Sequence, residues 1–327
     1  MKNRIFGKTG RKVSEIGFGA WAIGGSWGEV SEENARAALH AALDEGTTFI
    51  DTADVYGDGR SERIIADVLK ERGAKPFIAT KAGRRLTPHL ADGYNKANLT
   101  TFVDRSLKNL QTDCLDLVQL HCPPTDVYYR PQVFEVLDGL IATGKIRNYG
   151  VSVEKVEEAL KAIEYPGVVS VQIIYNIFRQ RPAELFFRQA KARNIAVIAR
   201  VPLASGLLTG KMNRQTQFAA DDHRAFNRNG EAFDKGETFS GVPYDVALEA
   251  VKQIRPLVAP GFTMAQLALA WVLSNDAITT VIPGAKNATQ ASANARADMH
   301  PFLSESTVKQ LATIYDEKIR SQVHHLW

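Results

Sequence analysis

A regular alternation of short apolar runs with helical stretches constrains the fold of this 327-residue chain more than any other feature. The runs fall at 16–21, 48–51, 77–81, 115–121, 147–151, 168–175, 195–201 and 278–282. The intervening segments show helical apolar spacing, at 34–44 behind Ser31 as N-cap, then 62–72, 99–110, 131–143, 154–163, 183–193, within 244–274, and 289–297. Several runs are almost unbroken Val, Ile, Leu and Ala, as expected of parallel strands buried on both faces. Eight such units with no linker-like break predict an α/β fold, one (β/α)8 TIM barrel domain over 1–327. A hairpin at 3–13 precedes the barrel, and an amphipathic helix at 304–320 with a tail at 321–327 follows it. A doubly wound dinucleotide-binding sheet would need G-x-G-x-x-G at a strand-to-helix turn. Gly17-Phe-Gly19-Ala-Trp-Ala lacks the third glycine, and its helix starts about ten residues later.

One segment breaks the rhythm. Residues 211–243 are rich in Asp, Arg, Asn, Gly and Phe and have no period. A loop that long is a lid, a binding loop or disordered. It leaves the C-terminal end of the seventh run, the face where barrels keep their sites.

Three successive runs close on reactive side chains. Thr48-Phe-Ile-Asp51 turns through glycines, carrying Tyr56 beside Asp51, and restarts as a helix at Ser61. Lys81 ends the next run and His121 the one after. Neighbouring strand ends bring these four together in a barrel. A phenol with a pKa of about 10 is a poor acid at neutral pH, and an adjacent ammonium lowers that value. Asp51 would keep Lys81 charged, while His121 could donate to a carbonyl oxygen. Each residue alone could be a buried ion pair or a cap on the barrel. Together they suit a site that protonates an oxygen while a hydride reaches the attached carbon.

The bulk properties exclude other classes. Forty basic and 36 acidic residues give +4 with no long single-sign block, so nothing points to nucleic acid or a membrane surface. No apolar run approaches the ~18–20 residues of a membrane span, and the N-terminus lacks a signal-peptide core. Two cysteines, Cys114 and Cys122, make no disulfide framework, so a cytoplasmic setting is expected. Cys122 should point away from the site, because adjacent strand residues alternate. Arg84-Arg85 and His324-His325 read as solvated, and no metal site is expected.

The motifs resemble the aldo-keto reductase family. Phe49-Ile-Asp51-Thr-Ala with Tyr56-Gly and Ser61-Glu62 is similar to its first signature. Thr80-Lys81, Asp116-Leu117 with Leu120-His121-Cys-Pro123, and Gly150-Val-Ser152 are similar to later ones, in family order. The resemblance implies a reductase of small carbonyl substrates that binds NADPH extended, without a Rossmann domain. It makes Tyr56 the general acid/base, with Asp51, Lys81 and His121 assisting. It gives Ser152 and Gln172 to the nicotinamide carboxamide and Trp21 to the loop bordering nicotinamide and substrate. Pro202-Leu203-Ala-Ser205 through Lys211 would wrap the pyrophosphate, and Gly284, Lys286, Gln290 and Asn294 would form the adenosine site.

Three positions depart from the family pattern. Val153 replaces an asparagine, Ala293 an acidic residue, and Arg200 an aromatic residue that stacks on the nicotinamide. A guanidinium can stack there too, but its charge should disfavour the oxidised ring. Substrate specificity is expected in the loops at 24–30, 125–130 and 211–243, with Trp27, Tyr128 and Tyr129 as pocket walls.

Overall fold

The computed structural model describes residues 1–25, 27–299 and 303–327; Ser26, in the expected loop at 24–30, lies outside them. The hairpin pairs β1 (Asn3–Ile5) with β2 (Lys12–Ser14) in antiparallel fashion. The barrel follows in chain order: β3 (Phe18–Gly19), β4 (Phe49–Asp51), β5 (Phe77–Ala82), β6 (Leu117–His121), β7 (Tyr149–Ser152), β8 (Val168–Ile174), β9 (Ala196–Arg200) and β10 (Ile278–Val281). Each of these eight pairs in parallel with the next. Bridges from Ile16 to Val281 and from Gly19 to Gly284 join the two edges, closing the (β/α)8 barrel.

Alternation along the strands builds the interior. Phe49, Phe77, Ala79, Leu117, Ala196 and Ile198 point inward at the lower end, and Phe6 of the hairpin plugs them from below. The Phe6 ring lies 5.5 Å from Phe49 and 4.9 Å from Phe77. Two residues further along the same strands come Asp51, Lys81, Gln119 and Arg200. The lower barrel is therefore an apolar plug, and polar chemistry is confined to its upper mouth.

Helices start where side chains can take the free N–H groups. Ser31 caps Glu32–Asp44 and Asn95 caps Lys96–Leu110, while Thr263 and Gln266 form a reciprocal box on Met264–Leu273. The helix after β4 runs Arg60–Arg72, two residues earlier than the expected 62–72, and buries Ile64, Ile65 and Val68.

Two expectations are corrected, for the first run and for His324, and the open readings of 211–243 and of the tail are resolved. The first run yields only a two-residue strand, and Trp21 opens a helical turn (Trp21–Gly24) where the chain bends over the mouth. Residues 211–243 are an ordered loop of short turns, including His223–Phe226, Lys235–Glu237 and Phe239–Gly241. His223, Asn227, Glu237 and Ser240 are buried there, so single polar anchors replace an apolar period. Finally, the tail is not free. The helix Glu305–Ile314 continues through a π-helical turn (Tyr315–Ile319) into Arg320–Val323. His324 bonds the Tyr315 hydroxyl at 2.8 Å, although His325 is exposed as expected. The buried Trp327 indole donates to Asp234 Oδ2 at 3.1 Å beneath the Arg179 guanidinium. Its ring packs on Gly241, where a Cβ would lie only 2.5 Å away.

Candidate active site

The ends of β4, β5 and β6 deliver the expected quartet to one place. Lys81 Nζ donates to Asp51 Oδ1 at 2.5 Å, to the Thr52 carbonyl at 2.9 Å and to the Tyr56 hydroxyl at 3.3 Å. All three ammonium protons are thereby used, in a side chain only 1% exposed. Tyr56 reaches this point because Gly57 has φ 59°, and any Cβ there would overlap the Gly24 carbonyl. The Tyr56 ring lies 5.9 Å from that of His121, edge to face, and stacks on Trp21 at 6.0 Å. In the next row of the sheet His121, Ser152 and Gln172 are register neighbours on β6, β7 and β8.

Burial governs the protonation states here. It raises Tyr56 above the ordinary phenol value and outweighs the pull of Lys81, so the net lowering expected from the ammonium does not occur. The ammonium instead moderates the cost of a phenolate. For Lys81, burial pulls downward, but Asp51 and Tyr56 together hold the amine above its usual value. His121 falls well below the usual imidazole range, through burial and then through Arg84, Lys81 and Arg200. It is thus neutral at physiological pH, with Nδ1 buried and unpartnered.

One cleft of about 450 Å³ runs from this floor across the barrel mouth, and every expected catalytic and cofactor residue except Lys81 lines it. Lys81 stands behind Asp51 and Tyr56. The segment after β9 carries Pro202, Leu203 and Ser205, with Lys211 at its end. Val201, Ala204, Ser205 and Gly206 there have φ of 53, 47, 54 and 98°, a backbone form whose N–H groups make anion-binding concavities. The Ser205 hydroxyl is itself committed, donating to the Glu237 carbonyl and accepting from Phe239 N–H. At the far end Gln290 accepts from Lys286 N–H, Asn294 donates to the Gly284 carbonyl, and the Lys286 ammonium holds the Trp27 carbonyl.

Beside the floor lies a four-member ion cluster that sequence reasoning did not anticipate. Arg84 donates to Glu154 at 3.0 Å and to Glu237 at 2.5 Å; Arg200 donates to Glu154 at 2.9 Å and lies 3.7 Å from Glu237. Burial and the neighbouring Glu237 push Glu154 up to about 8. Glu237 is held low by Arg84 and Arg200, against the effect of burial. Arg84 is therefore a half-buried partner, not the solvated residue expected, because two carboxylates compensate its partial desolvation. The same carboxylates balance Arg200, which offsets the repulsion expected of a lone guanidinium. Among the described residues, Cys122, Glu154 and Glu237 are the one His/Cys/acid trio within 4.8 Å of each other, but both guanidiniums span the acids.

Other corrections concern the walls. Cys122 faces the cleft, because it follows the last residue of β6 with φ 45° and leaves the strand alternation. Its thiol lies 3.4 Å from Ser152 Oγ, and burial raises its pKa. Tyr128 is fully buried below the mouth and Tyr129 is exposed; neither lines the cleft, whereas Trp27 does. Gln119 was also overlooked, although it precedes His121 by two and so shares its inward face.

Comparison with known proteins bears on the family and the fold. The profile described as the Aldo/keto reductase family matches residues 15–316. The aldo-keto reductase YhdN of Bacillus subtilis is 33% identical over 325 residues, covering 96% of this chain and 94% of its own. A probable voltage-gated potassium channel subunit beta of Arabidopsis thaliana is 28% identical, covering 97% and 98%. The solved glycerol dehydrogenase AKR11B4 of Gluconobacter oxydans superposes with a TM-score of 0.77 at 30% identity, covering 97% and 95%. With a barrel, an Asp–Tyr–Lys–His floor and a family match over nearly its whole length, this chain belongs to the aldo/keto reductase family of oxidoreductases.

Proposed function

We propose that this protein reduces aldehydes or ketones with NADPH in the cytoplasm, with Tyr56 donating the proton. The observation that carries this reading is the buried Lys81 ammonium shared between Asp51 and the Tyr56 hydroxyl at the base of the cleft. The cofactor, when bound, supplies the hydride. The cleft suits it: positive-φ backbone after β9, two lysines, and the unpartnered buried Arg200 Nε line one continuous path. Ser152 and Gln172 would hold the carboxamide, and Lys286 the phosphate end. Arg224 also lines that end and contributes to lowering the Lys286 pKa, after burial. Lys286, beside an Arg224 already paired with Asp222 and with Ala293 in place of an acid, favours a cofactor carrying an extra phosphate.

Tyr56 donates to the substrate oxygen, and Lys81 balances the phenolate left behind. The neutral imidazole of His121 can donate to the same oxygen without carrying charge into a dry site. Because burial raises Tyr56, the proton-donating form persists across neutral pH. Tyr56→Phe should lower NADPH-dependent reduction of a reactive aldehyde by ~10²–10⁴-fold. Cofactor binding, followed by tryptophan fluorescence, should persist. Full activity in this variant refutes the assignment.

The Arabidopsis relative, a probable channel subunit, favours a second reading: an NADP-binding sensing subunit with little turnover. The complete Tyr56–Lys81–His121 set argues for the enzyme, and turnover across an aldehyde panel separates the two.

A further inference from the structure

Beneath Tyr56, side chains from three alternate strands close a ring around one carboxylate oxygen. Gln119 is fully buried on β6. Its amide nitrogen donates to Asp51 Oδ2 at 3.2 Å, and its carbonyl oxygen accepts from Gln172 Nε2 at 3.3 Å. Gln172 Nε2 donates to the same Asp51 oxygen at 2.7 Å. The other oxygen of Asp51 takes Lys81.

The chemistry of Asp51 dictates how the amides face. A carboxylate offers only acceptors, so the end of Gln172 turned toward it must be the NH2 group. An amide nitrogen has two N–H bonds, and here one goes to Asp51 and the other to Gln119. What Gln172 has left to offer the cleft it lines is its carbonyl oxygen. Without Gln119, a buried N–H would lose its acceptor and Asp51 would lose a donor. The first loss frees the Gln172 amide to pivot about its bond to Asp51 and turn the released N–H, in place of the carbonyl, toward the cleft.

We infer that Gln119 is a positioning residue that locks Gln172 onto Asp51 and sets Gln172 as an acceptor for the carboxamide N–H of the cofactor. The inference rests on the NADPH reading above. It makes one carboxylate the common anchor of the proton donor and of nicotinamide recognition. Neither family motif residues nor strand spacing assigns such a role to Gln119.

The test compares NADPH with its acetylpyridine analogue, in which a methyl replaces the carboxamide NH2. Dissociation constants come from quenching of protein fluorescence, since Trp21 and Trp27 both line the cleft. Wild type should bind the analogue about fivefold more weakly, the loss of one neutral hydrogen bond. Gln119→Met and Gln119→Leu keep the approximate volume and remove both polar ends. In either one, if folded by circular dichroism, the preference should shrink to below about twofold. A merely structural role would weaken both cofactors equally and leave their ratio unchanged. An unchanged ratio, with wild-type binding and turnover intact, overturns the inference alone. Failure of wild type to bind NADPH removes the underlying reading and this inference with it. Should both variants unfold, wild-type binding of the analogue as tightly as NADPH overturns the inference, and Gln119→Asn, whose shortened amide loses its reach to Gln172, provides the same comparison of ratios.

Discussion

The floor and the rim of the cleft are built by different means. The floor residues Asp51, Lys81, Gln119, His121 and Gln172 sit on strands β4 to β8, at positions set by the backbone ladder and its register. The rim depends on side chains that cross between loops. Glu237 ties the long loop to Arg84 and Arg200, Lys286 holds the Trp27 carbonyl, and His223 packs on Trp21 and Trp27 at 4.8 and 4.4 Å. Reactive groups are thus placed by the hydrogen-bonded register of the strands, whereas the walls are placed by a few contacts. Substitutions at the floor should change chemistry with little change in loop order, and substitutions at the rim should do the reverse.

The Tyr56→Phe loss of turnover is the largest effect expected and should leave the melting temperature nearly unaltered. If it also lowers stability strongly, the separation of floor from rim fails. Glu237→Ala comes next. It leaves buried Arg200 and half-buried Arg84 to share Glu154, and removal of one partner from a buried pair costs at most about 3–5 kcal/mol. Urea unfolding should register that loss, and trypsin should cut within 211–243 more readily than in wild type. Unchanged stability would show that the cluster does not hold the loop.

Asp54 offers a test within the floor's own turn. It is fully buried, both carboxylate oxygens lack partners, and burial followed by Glu62 pushes its pKa from 3.8 up to about 7. The folded state therefore binds the proton more tightly than the unfolded one. Stability from this group is greatest below about 3.8, declines as pH rises, and is fully lost above about 7. Three units correspond to at most about 4 kcal/mol, so Asp54→Asn should stabilise the protein by up to that amount at pH 8 and hardly at pH 4. Equal effects at both pH values would contradict the assigned cause. The smallest effect belongs to the rim. Lys286→Met should weaken NADPH binding about tenfold and NADH much less, measured by fluorescence titration. Equal losses would remove Lys286 from phosphate recognition.

Much of the floor was legible because a parallel barrel repeats. Alternate residues Phe77, Ala79 and Lys81 read directly as plug, spacer and site, and the strand ends follow. Gln119 obeyed the same rule and was overlooked only because glutamine carries no obvious reactivity. Cys122 defied it, since its positive φ lies one residue past the ladder, where alternation no longer applies. The direction of the Tyr56 shift depended on the depth of burial, which pairwise reasoning from Lys81 cannot supply. Glu237 had no signal at all. It lies in a stretch without period, and its significance comes from Arg84 and Arg200, which are 153 residues away and on another strand respectively.

The packing of Trp327 has a consequence for the order in which the site is completed. Glu237 leaves the ribosome about 90 residues, 327 minus 237, before the tryptophan that braces its loop through Asp234 and Gly241. All eight strands can be synthesised, and the floor assembled, while that loop has its ion pairs to Arg84 and Arg200 but not its contacts with Trp327. The proton-transfer groups can thus assemble before the loop that walls the cleft receives its brace from Trp327.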